Sequence, residues 1–185
     1  MNKIDLRRHY RAVRKAYVAG LTAEQRVQLQ RQLASTAAPA LADVAMMASY
    51  AAVGDEIDPA CIDDASDVLA FPCVTGPDIL FHGAERHSLR PGYQLIPEPP
   101  TDAAIVGPNV LLVPLLAVTL AGVRLGQGRG YYDRALAALR SKQPVLAIGI
   151  AWDCQIAPAL PTDAWDMPLD MIATPSRLVD CRKWR

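Results

Sequence analysis

Val110-Leu-Leu-Val-Pro-Leu-Leu-Ala-Val118, followed by Arg124-Leu-Gly-Gln-Gly-Arg-Gly-Tyr-Tyr-Asp-Arg134 and Ala135-Leu-Ala-Ala-Leu-Arg140, is the stretch on which the fold turns. The first segment is a continuous apolar run, the pattern of a strand buried on both faces. The last is rich in strong helix formers. Between them Gly126, Gly128 and Gly130 alternate with Gln127 and Arg129. Glycines this close let backbone N–H groups approach a ligand with no Cβ in the way. Strand, glycine turn and helix start together favour an anion, phosphate above all. Arg129 adds a full positive charge, and Asp133 follows closely enough to hold a cation that phosphates bring with them. The spacing is G-x-G-x-G, so neither the Rossmann fingerprint nor the Walker loop is present.

Outward from this centre the chain alternates helices with apolar strands. Residues 2–19 are expected to be a helix: Leu6, Tyr10, Val13 and Tyr17 form an apolar stripe, and Lys3, Arg7, Arg11 and Arg14 a basic one. Acids are scarce on that basic face, although exposed helices usually mix signs. Thr22 with Gln25 forms a possible capping box opening a second helix to about residue 38. Strands are expected at 44–50, 68–74, 79–82, 110–118, 144–150 and 171–174, a short helix at 59–68, and a helix at 131–141. The alternation indicates a three-layer α/β domain spanning 1–185, with no repeat and no linker.

Composition bounds the function. The chain has 185 residues, 51% of them hydrophobic, enough for one substantial core. Lys plus Arg equals Asp plus Glu at 19 each, so no net field draws it to nucleic acid or membrane. No apolar run reaches the ~18 residues of a membrane span, and the charged N-terminus is unlike a signal peptide. A cytoplasmic monomer with reduced, packed cysteines (Cys61, Cys73, Cys154, Cys181) is the expectation.

Other candidates are weaker. Glu56, with Asp55 and Asp58, follows a predicted strand at the edge where open α/β sheets bind ligands. An acidic turn explains it equally well. Glu98 is held between prolines, and a structural corner is the simpler reading. Asp166 or Asp170 is placed to join Asp133 at a cation. Trp152, Trp165 and Trp184 read as packing residues, with Trp152 also positioned to line a cleft at a strand end. His9, His82 and His87 share no metal spacing.

In ordered pieces over nearly its full length, the sequence resembles the 5-formyltetrahydrofolate cyclo-ligase (5,10-methenyltetrahydrofolate synthetase) family. The pieces are Lys3-Ile-Asp-Leu-Arg7; Asp55-Glu-Ile-Asp58; Phe81 with Ile96-Pro-Glu-Pro99; Val113-Pro114 leading to Arg124–Arg134; and Asp166-Met-Pro-Leu-Asp170 before Thr174. The resemblance implies an α/β/α sandwich of the sugar-phosphate isomerase and coenzyme A transferase type. It implies ATP as co-substrate, Mg²⁺, and closure of 5-formyltetrahydrofolate, with or without a polyglutamate tail, to 5,10-methenyltetrahydrofolate.

By the same resemblance, ATP would be bound by Lys3, Arg7, Arg124, Leu125, Gly126, Gln127, Gly128, Arg129, Gly130, Tyr131 and Tyr132, with Arg129 as the catalytic cation. The folate would meet Ala51, Glu56, Gln127, Gly128, Arg129, Gly130 and Tyr131, and the metal Asp133 and Asp166. Three departures stand out. Arg129 replaces the usual Lys, Val118-Thr119 stands where an Asp is common, and Leu95-Ile96 replaces Gly-Ile, with a possible effect on the pteridine pocket. Two other readings compete: a non-catalytic relative that buffers 5-formyltetrahydrofolate, and an RNA-binding module using the basic helix. The retained metal acids weigh against the first, and overall neutrality weighs against the second.

Overall fold

The structure is a computed structural model and describes residues 2–42 and 44–184. In chain order its elements are α1 (Lys3–Ala19), α2 (Ala23–Ala37), β1 (Met47–Ala48), β2 (Leu69–Thr75), β3 (Asp78–Gly83), β4 (Arg90–Pro91) and β5 (Pro97–Glu98). There follow β6 (Val110–Pro114), β7 (Ala117–Val118), β8 (Arg124–Leu125), α3 (Tyr131–Arg140), β9 (Leu146–Ile150), β10 (Met171–Ala173) and β11 (Leu178–Asp180). Residues Pro59–Ala65 form a 3₁₀ segment.

Seven strands make one sheet in the order β11-β10-β9-β6-β1-β2-β3. The middle five are parallel, and β3 and β11 close the two edges antiparallel. Side chains alternate across the sheet as the pleat requires. Val110 and Leu112 of β6 join Val18, Leu33 and Ala37 from α1 and α2 in one core. Leu111 and Val113 join Ala135 and Leu136 of α3 in the other. The protein is therefore a three-layer α/β/α sandwich.

The N-caps form as their residues dictate. Asn2 Oδ1 accepts from Asp5 N at 2.9 Å. Thr22 and Gln25 complete the reciprocal capping box. The apolar stripe of α1 docks too: Tyr10 and Leu6 pack with Leu116, Ala117 and Leu125. The four cysteines are free.

Three sequence expectations change. The apolar run 110–118 is not one strand. It breaks after Pro114, and Ala117–Val118 pairs antiparallel with Arg124–Leu125 in a separate hairpin. Proline supplies no N–H to continue a ladder, so β6 ends there. The glycine run is therefore entered from β8 and not directly from β6. Second, the run 44–50 carries ladder pairing only at Met47–Ala48. Third, β11 and the β4–β5 hairpin lack apolar runs and were not foreseen.

Thr119 is buried and closes the β7–β8 turn: its Oγ1 accepts from Val123 N at 3.2 Å, and its carbonyl accepts from Gly122 N at 2.8 Å. The departure at this position is thus absorbed by turn geometry.

The topology locates the site. From β1 the chain moves to β2 on one side and returns to β6 on the other. The carboxyl ends of β1 and β6 flank this reversal, where open α/β sheets leave a crevice.

Candidate functional site

A cavity of about 790 Å³ opens at that reversal, lined by Tyr50 and Ala51 beyond β1 and by Pro114 and Leu115 at the end of β6. This lies toward the upper end of the 300–1,000 Å³ range of small-molecule sites. Every residue that the resemblance singled out lines it: Lys3, Arg7, Ala51, Glu56, the unbroken run Arg124–Asp133, and Asp166. Arg11 and Arg14 complete the basic stripe on the same wall. The scarcity of acids on that helix face now has a spatial cause, because the face lines the cavity.

Helix α1 acts as a ruler along the site. Its outermost cations, Lys3 and Arg14, are 11 positions apart, about 16 Å at 1.5 Å per residue. At one end Lys3 Nζ donates to Asp163 Oδ2 at 2.7 Å and to Asp166 Oδ2 at 2.6 Å. Next, Arg7 Nε donates to the Gly126 carbonyl at 3.0 Å, and Arg11 donates through Nε and Nη2 to Gln127 Oε1 at 3.1 and 2.7 Å. At the far end Arg14 Nη1 lies 3.6 Å from Glu56 Oε1. The glycine run is thereby strapped to α1 at Gly126 and Gln127.

The run needs its glycines at two positions. Gly128 has φ 103°, and a Cβ there would meet the Arg7 guanidinium at 3.1 Å. Gly130 has φ 67° and stands at the N-cap of α3 with no side-chain cap. The opening N–H groups of α3 are therefore left for a ligand, and the helix dipole adds to their attraction for an anion.

Two donors support the same conclusion. Arg14 Nε and Arg124 Nη1 are buried without an acceptor. A buried donor left unpaired costs about 1–3 kcal/mol, more when charged. An acceptor-rich ligand on this wall would recover that cost.

Asp133 and Asp166 are brought together. Asp133 Oδ1 accepts from Arg124 Nη2 at 2.6 Å and from Met167 N, the next backbone amide after Asp166, at 3.1 Å. Among the described residues no group of three or more His, Cys, Asp and Glu side chains is placed to hold a metal. Mg²⁺ does not require one, since it takes one or two carboxylates and completes its shell with phosphates and water. The Asp133–Asp166 pair fits that donor set. Asp170 does not belong to it: its Oδ2 accepts from Arg140 Nη2 at 2.6 Å and from Ala147 N at 2.9 Å.

Glu56 is fixed by its own turn. Val53 N donates to its Oε2 at 3.1 Å, and the fully buried Trp152 donates Nε1–H to the Asp55 carbonyl at 3.0 Å. Trp152 thus pins this turn from the core instead of lining the cleft. Burial pushes the Glu56 carboxyl above its ordinary value, against the lowering effect of Val53 N–H and Arg14. Burial likewise raises the Tyr50 and Tyr132 phenols, which stay neutral. Tyr50 OH donates to the Ile57 carbonyl at 2.7 Å.

The opposite wall is apolar, with Pro72, Val74, Ile79, Ile96 and Pro97. It was not foreseen, because nothing in short strands separated in sequence marks them as neighbours. Glu98 also lines the cavity, and its Oε1 accepts from Val74 N at 3.1 Å.

Leu95 does not reshape this wall. It is 81% exposed and its neighbours Gln94 and Ile96 do the lining. Its consequence is conformational: φ is 62°, a left-handed geometry that costs a non-glycine residue about 1–2 kcal/mol. Leu95→Gly is expected to raise the thermal midpoint by roughly 2–4 °C, the shift that about 1 kcal/mol gives in a chain of this size. An unchanged or lower midpoint in a calorimetric scan would show that the turn is unstrained.

Comparisons with known proteins agree with this geometry. The sequence pattern of the 5-formyltetrahydrofolate cyclo-ligase family matches residues 84–175. A 5-formyltetrahydrofolate cyclo-ligase of Escherichia coli (strain K12) is 43% identical over 89 residues, covering 45% of this chain and 47% of that protein. One from Mycoplasma genitalium is 46% identical over 70 residues, 36% of this chain and 41% of that protein. The chain thus aligns with about half the length of the curated relatives it matches.

Among solved structures, the NMR structure of Aquifex aeolicus 5,10-methenyltetrahydrofolate synthetase is similar over 98% of this chain and 94% of that one, with TM-score 0.80 and 29% identity. A 5,10-methenyltetrahydrofolate synthetase of Mycoplasma pneumoniae shares the fold at TM-score 0.74 and 21% identity, over 95% and 99% of the two chains.

Proposed function

We propose that this chain, which belongs to the 5-formyltetrahydrofolate cyclo-ligase family, closes 5-formyltetrahydrofolate to 5,10-methenyltetrahydrofolate with ATP as phosphoryl donor. The observation that carries the reading is the order of partners along α1. Lys3 meets the acid pair, Arg7 and Arg11 meet the glycine run, and Arg14 meets Glu56. A nucleotide and a folate laid end to end along this wall meet those groups in the sequence the reaction needs. The pteridine is placed at the Glu56 end, against Ala51 and the apolar wall. Phosphates are placed over Arg124–Tyr132, and the metal at Asp133 and Asp166.

The chemistry asks little covalent work of the protein. The formyl oxygen of the substrate attacks the γ-phosphorus, the bond to the β-phosphate oxygen breaks, and ADP leaves. This converts a poor leaving group, the formamide oxygen, into a phosphate ester on an iminium carbon. The neighbouring aniline nitrogen then attacks that carbon, the C–O bond breaks, phosphate departs and the nitrogen loses its proton. Phosphoryl transfer of this kind is driven by positioning and charge stabilisation. Arg129, the α3 amides and the unpaired Arg124 donor supply the charge stabilisation. Mg²⁺, when bound, would neutralise phosphate charge between Asp133 and Asp166.

On this reading residues 1–185 work as one domain and a cytoplasmic monomer, on a small molecule and not on RNA or lipid. The cations that an RNA-binding reading would use are committed inside the cavity, and among the described residues no helix is long and apolar enough to cross a membrane. The test mixes protein, ATP, Mg²⁺ and 5-formyltetrahydrofolate and follows the absorbance of the methenyl product. ATP-dependent product supports the reading. Tight folate binding without product supports a buffering protein instead.

Glu56 gives this reading a pH signature. Its folded pKa lies above the ordinary carboxylate value. Its ionised form therefore disfavours the fold above that raised pKa, and the penalty disappears once pH falls below the unfolded value. For binding, the carboxylate that accepts pteridine N–H groups is lost as pH falls through the raised pKa. Folate affinity is expected to drop on acidification starting above the range of a free glutamate. Glu56→Gln should bind weakly and flatten that profile. A profile unaltered in Glu56→Gln would remove Glu56 from substrate binding.

A further inference from the structure

Trp165 is 71% exposed, whereas Trp152 is fully buried, and Trp165 also lines the cavity. A large aromatic surface left in water forgoes one of the largest burial gains a side chain can make. It is also presented rigidly. Residues 163–166 form a turn closed twice over, by Asp166 N to the Asp163 carbonyl at 3.1 Å and by Asp163 N to Asp166 Oδ2 at 2.8 Å. Lys3 ties both carboxylates of that turn to the start of α1. The indole is therefore held at the cavity mouth by a fastened turn and not by a loose loop.

Its position decides which ligand it meets. The turn is anchored at the Lys3 end of α1, while Glu56 and its apolar neighbours lie at the Arg14 end, about 16 Å away along the helix. With phosphates over the glycine run between them, the group that reaches Trp165 is the end of the nucleotide farthest from the folate. That end is an aromatic base, and Trp165 offers an exposed aromatic ring on the cavity wall, on the turn that Lys3 fastens.

We propose that Trp165 forms a nucleobase subsite, stacking its indole on the purine of the phosphoryl donor and so setting preference for a nucleotide over a bare polyphosphate. This rests on the ATP-dependent reading above. Base–aromatic stacking contributes about 1–3 kcal/mol per base, roughly 5- to 150-fold in affinity. The indole meets the base and not the phosphates, so the subsite adds affinity only when the base is attached.

The experiment measures binding of ADP and of inorganic tripolyphosphate, each with Mg²⁺, to the full chain by calorimetry. Trp165→Ala is expected to weaken ADP at least 5-fold and leave tripolyphosphate within about 2-fold. Trp165→Phe, which keeps a stacking face, should recover most of the ADP affinity. Unchanged ADP affinity in Trp165→Ala, equal weakening of both ligands, or weakened folate binding alone overturns the subsite while leaving the ATP-dependent reading in place. A wild-type chain that binds neither phosphate ligand overturns that reading, and the subsite with it.

Discussion

Asp133→Asn is expected to lose turnover by at least about 100-fold and to unfold at a midpoint lower by roughly 10 °C. Both effects come from one carboxylate. Arg124 is 5% exposed at its side chain, and its Nη2 is paired with Asp133 Oδ1 at 2.6 Å. A second nitrogen of the same guanidinium, Nη1, is already buried without an acceptor. Removing one member of a buried ion pair costs about 3–5 kcal/mol, because the remaining charge has no compensation. Asparagine keeps the shape and can still accept from Arg124 and Met167 N, so the lower end of that range is the expected value. At about 2–4 °C per kcal/mol for a chain of this length, the midpoint shift follows.

The catalytic loss has a separate origin. On the proposed function Asp133 is one of two carboxylates that would hold the phosphate-bound cation, and the asparagine amide carries no charge to hold one. The two effects separate in measurement: a thermal scan reports the Arg124 pairing, and a Mg²⁺ titration of activity well below the midpoint reports the metal role. An unaltered Mg²⁺ titration would remove Asp133 as a ligand even if the midpoint falls.

Arg129→Ala is expected to do the opposite, abolishing most activity while leaving the fold intact. The Arg129 side chain is exposed, and its guanidinium lies 5.5 Å from the Tyr93 ring centroid. An exposed cation–π contact is worth about 0.5–1 kcal/mol. The contact that matters for α3, Arg134 Nη1 donating to the Arg129 carbonyl at 3.1 Å, is made by backbone and survives the change. On the proposed function the guanidinium would face the transferring phosphoryl group, where removal of one stabilising donor costs about 10²–10³ in kcat. The expected result is therefore a turnover lower by that factor with an unchanged thermal midpoint. Unchanged turnover would assign the phosphoryl group to the α3 amides, Arg7 and Arg124 alone. Arg129→Lys tests geometry: it keeps the charge and loses the planar fork.

The site was more legible than the strands around it. Lys3, Arg7, Arg11 and Arg14 recur at helical spacing, so their common face could be read before the fold set it against a cavity. The glycine run carried its own conformational demand, and two of its glycines do take left-handed geometry. The run 110–118 misled because both halves are buried. Burial is what an apolar run reports, and it cannot tell one strand from a strand plus a hairpin; Pro114 was the overlooked stop. Trp165 and the apolar wall were illegible for another reason. Their role depends on which segments the sheet order brings together, and β5, β2 and the turn 163–166 are distant in sequence.

Lys3 shows the same limit at the level of chemistry. The family resemblance implied an ATP contact, and in the structure its ammonium is shared by Asp163 and Asp166. These hydrogen bonds outweigh the lowering effect of burial and hold its pKa above the ordinary value. On the proposed function Asp166 would help hold the cation, and Lys3, which shares that carboxylate, would lie beside the phosphates bound with it.

The central claim is that the formyl oxygen itself receives the γ-phosphoryl group inside one cavity shared by ATP and folate. It is tested most directly by labelling that oxygen with ¹⁸O and examining the phosphate released in a single turnover. One ¹⁸O atom is expected in each inorganic phosphate formed with the methenyl product. Unlabelled phosphate, with the label recovered in water, would contradict it.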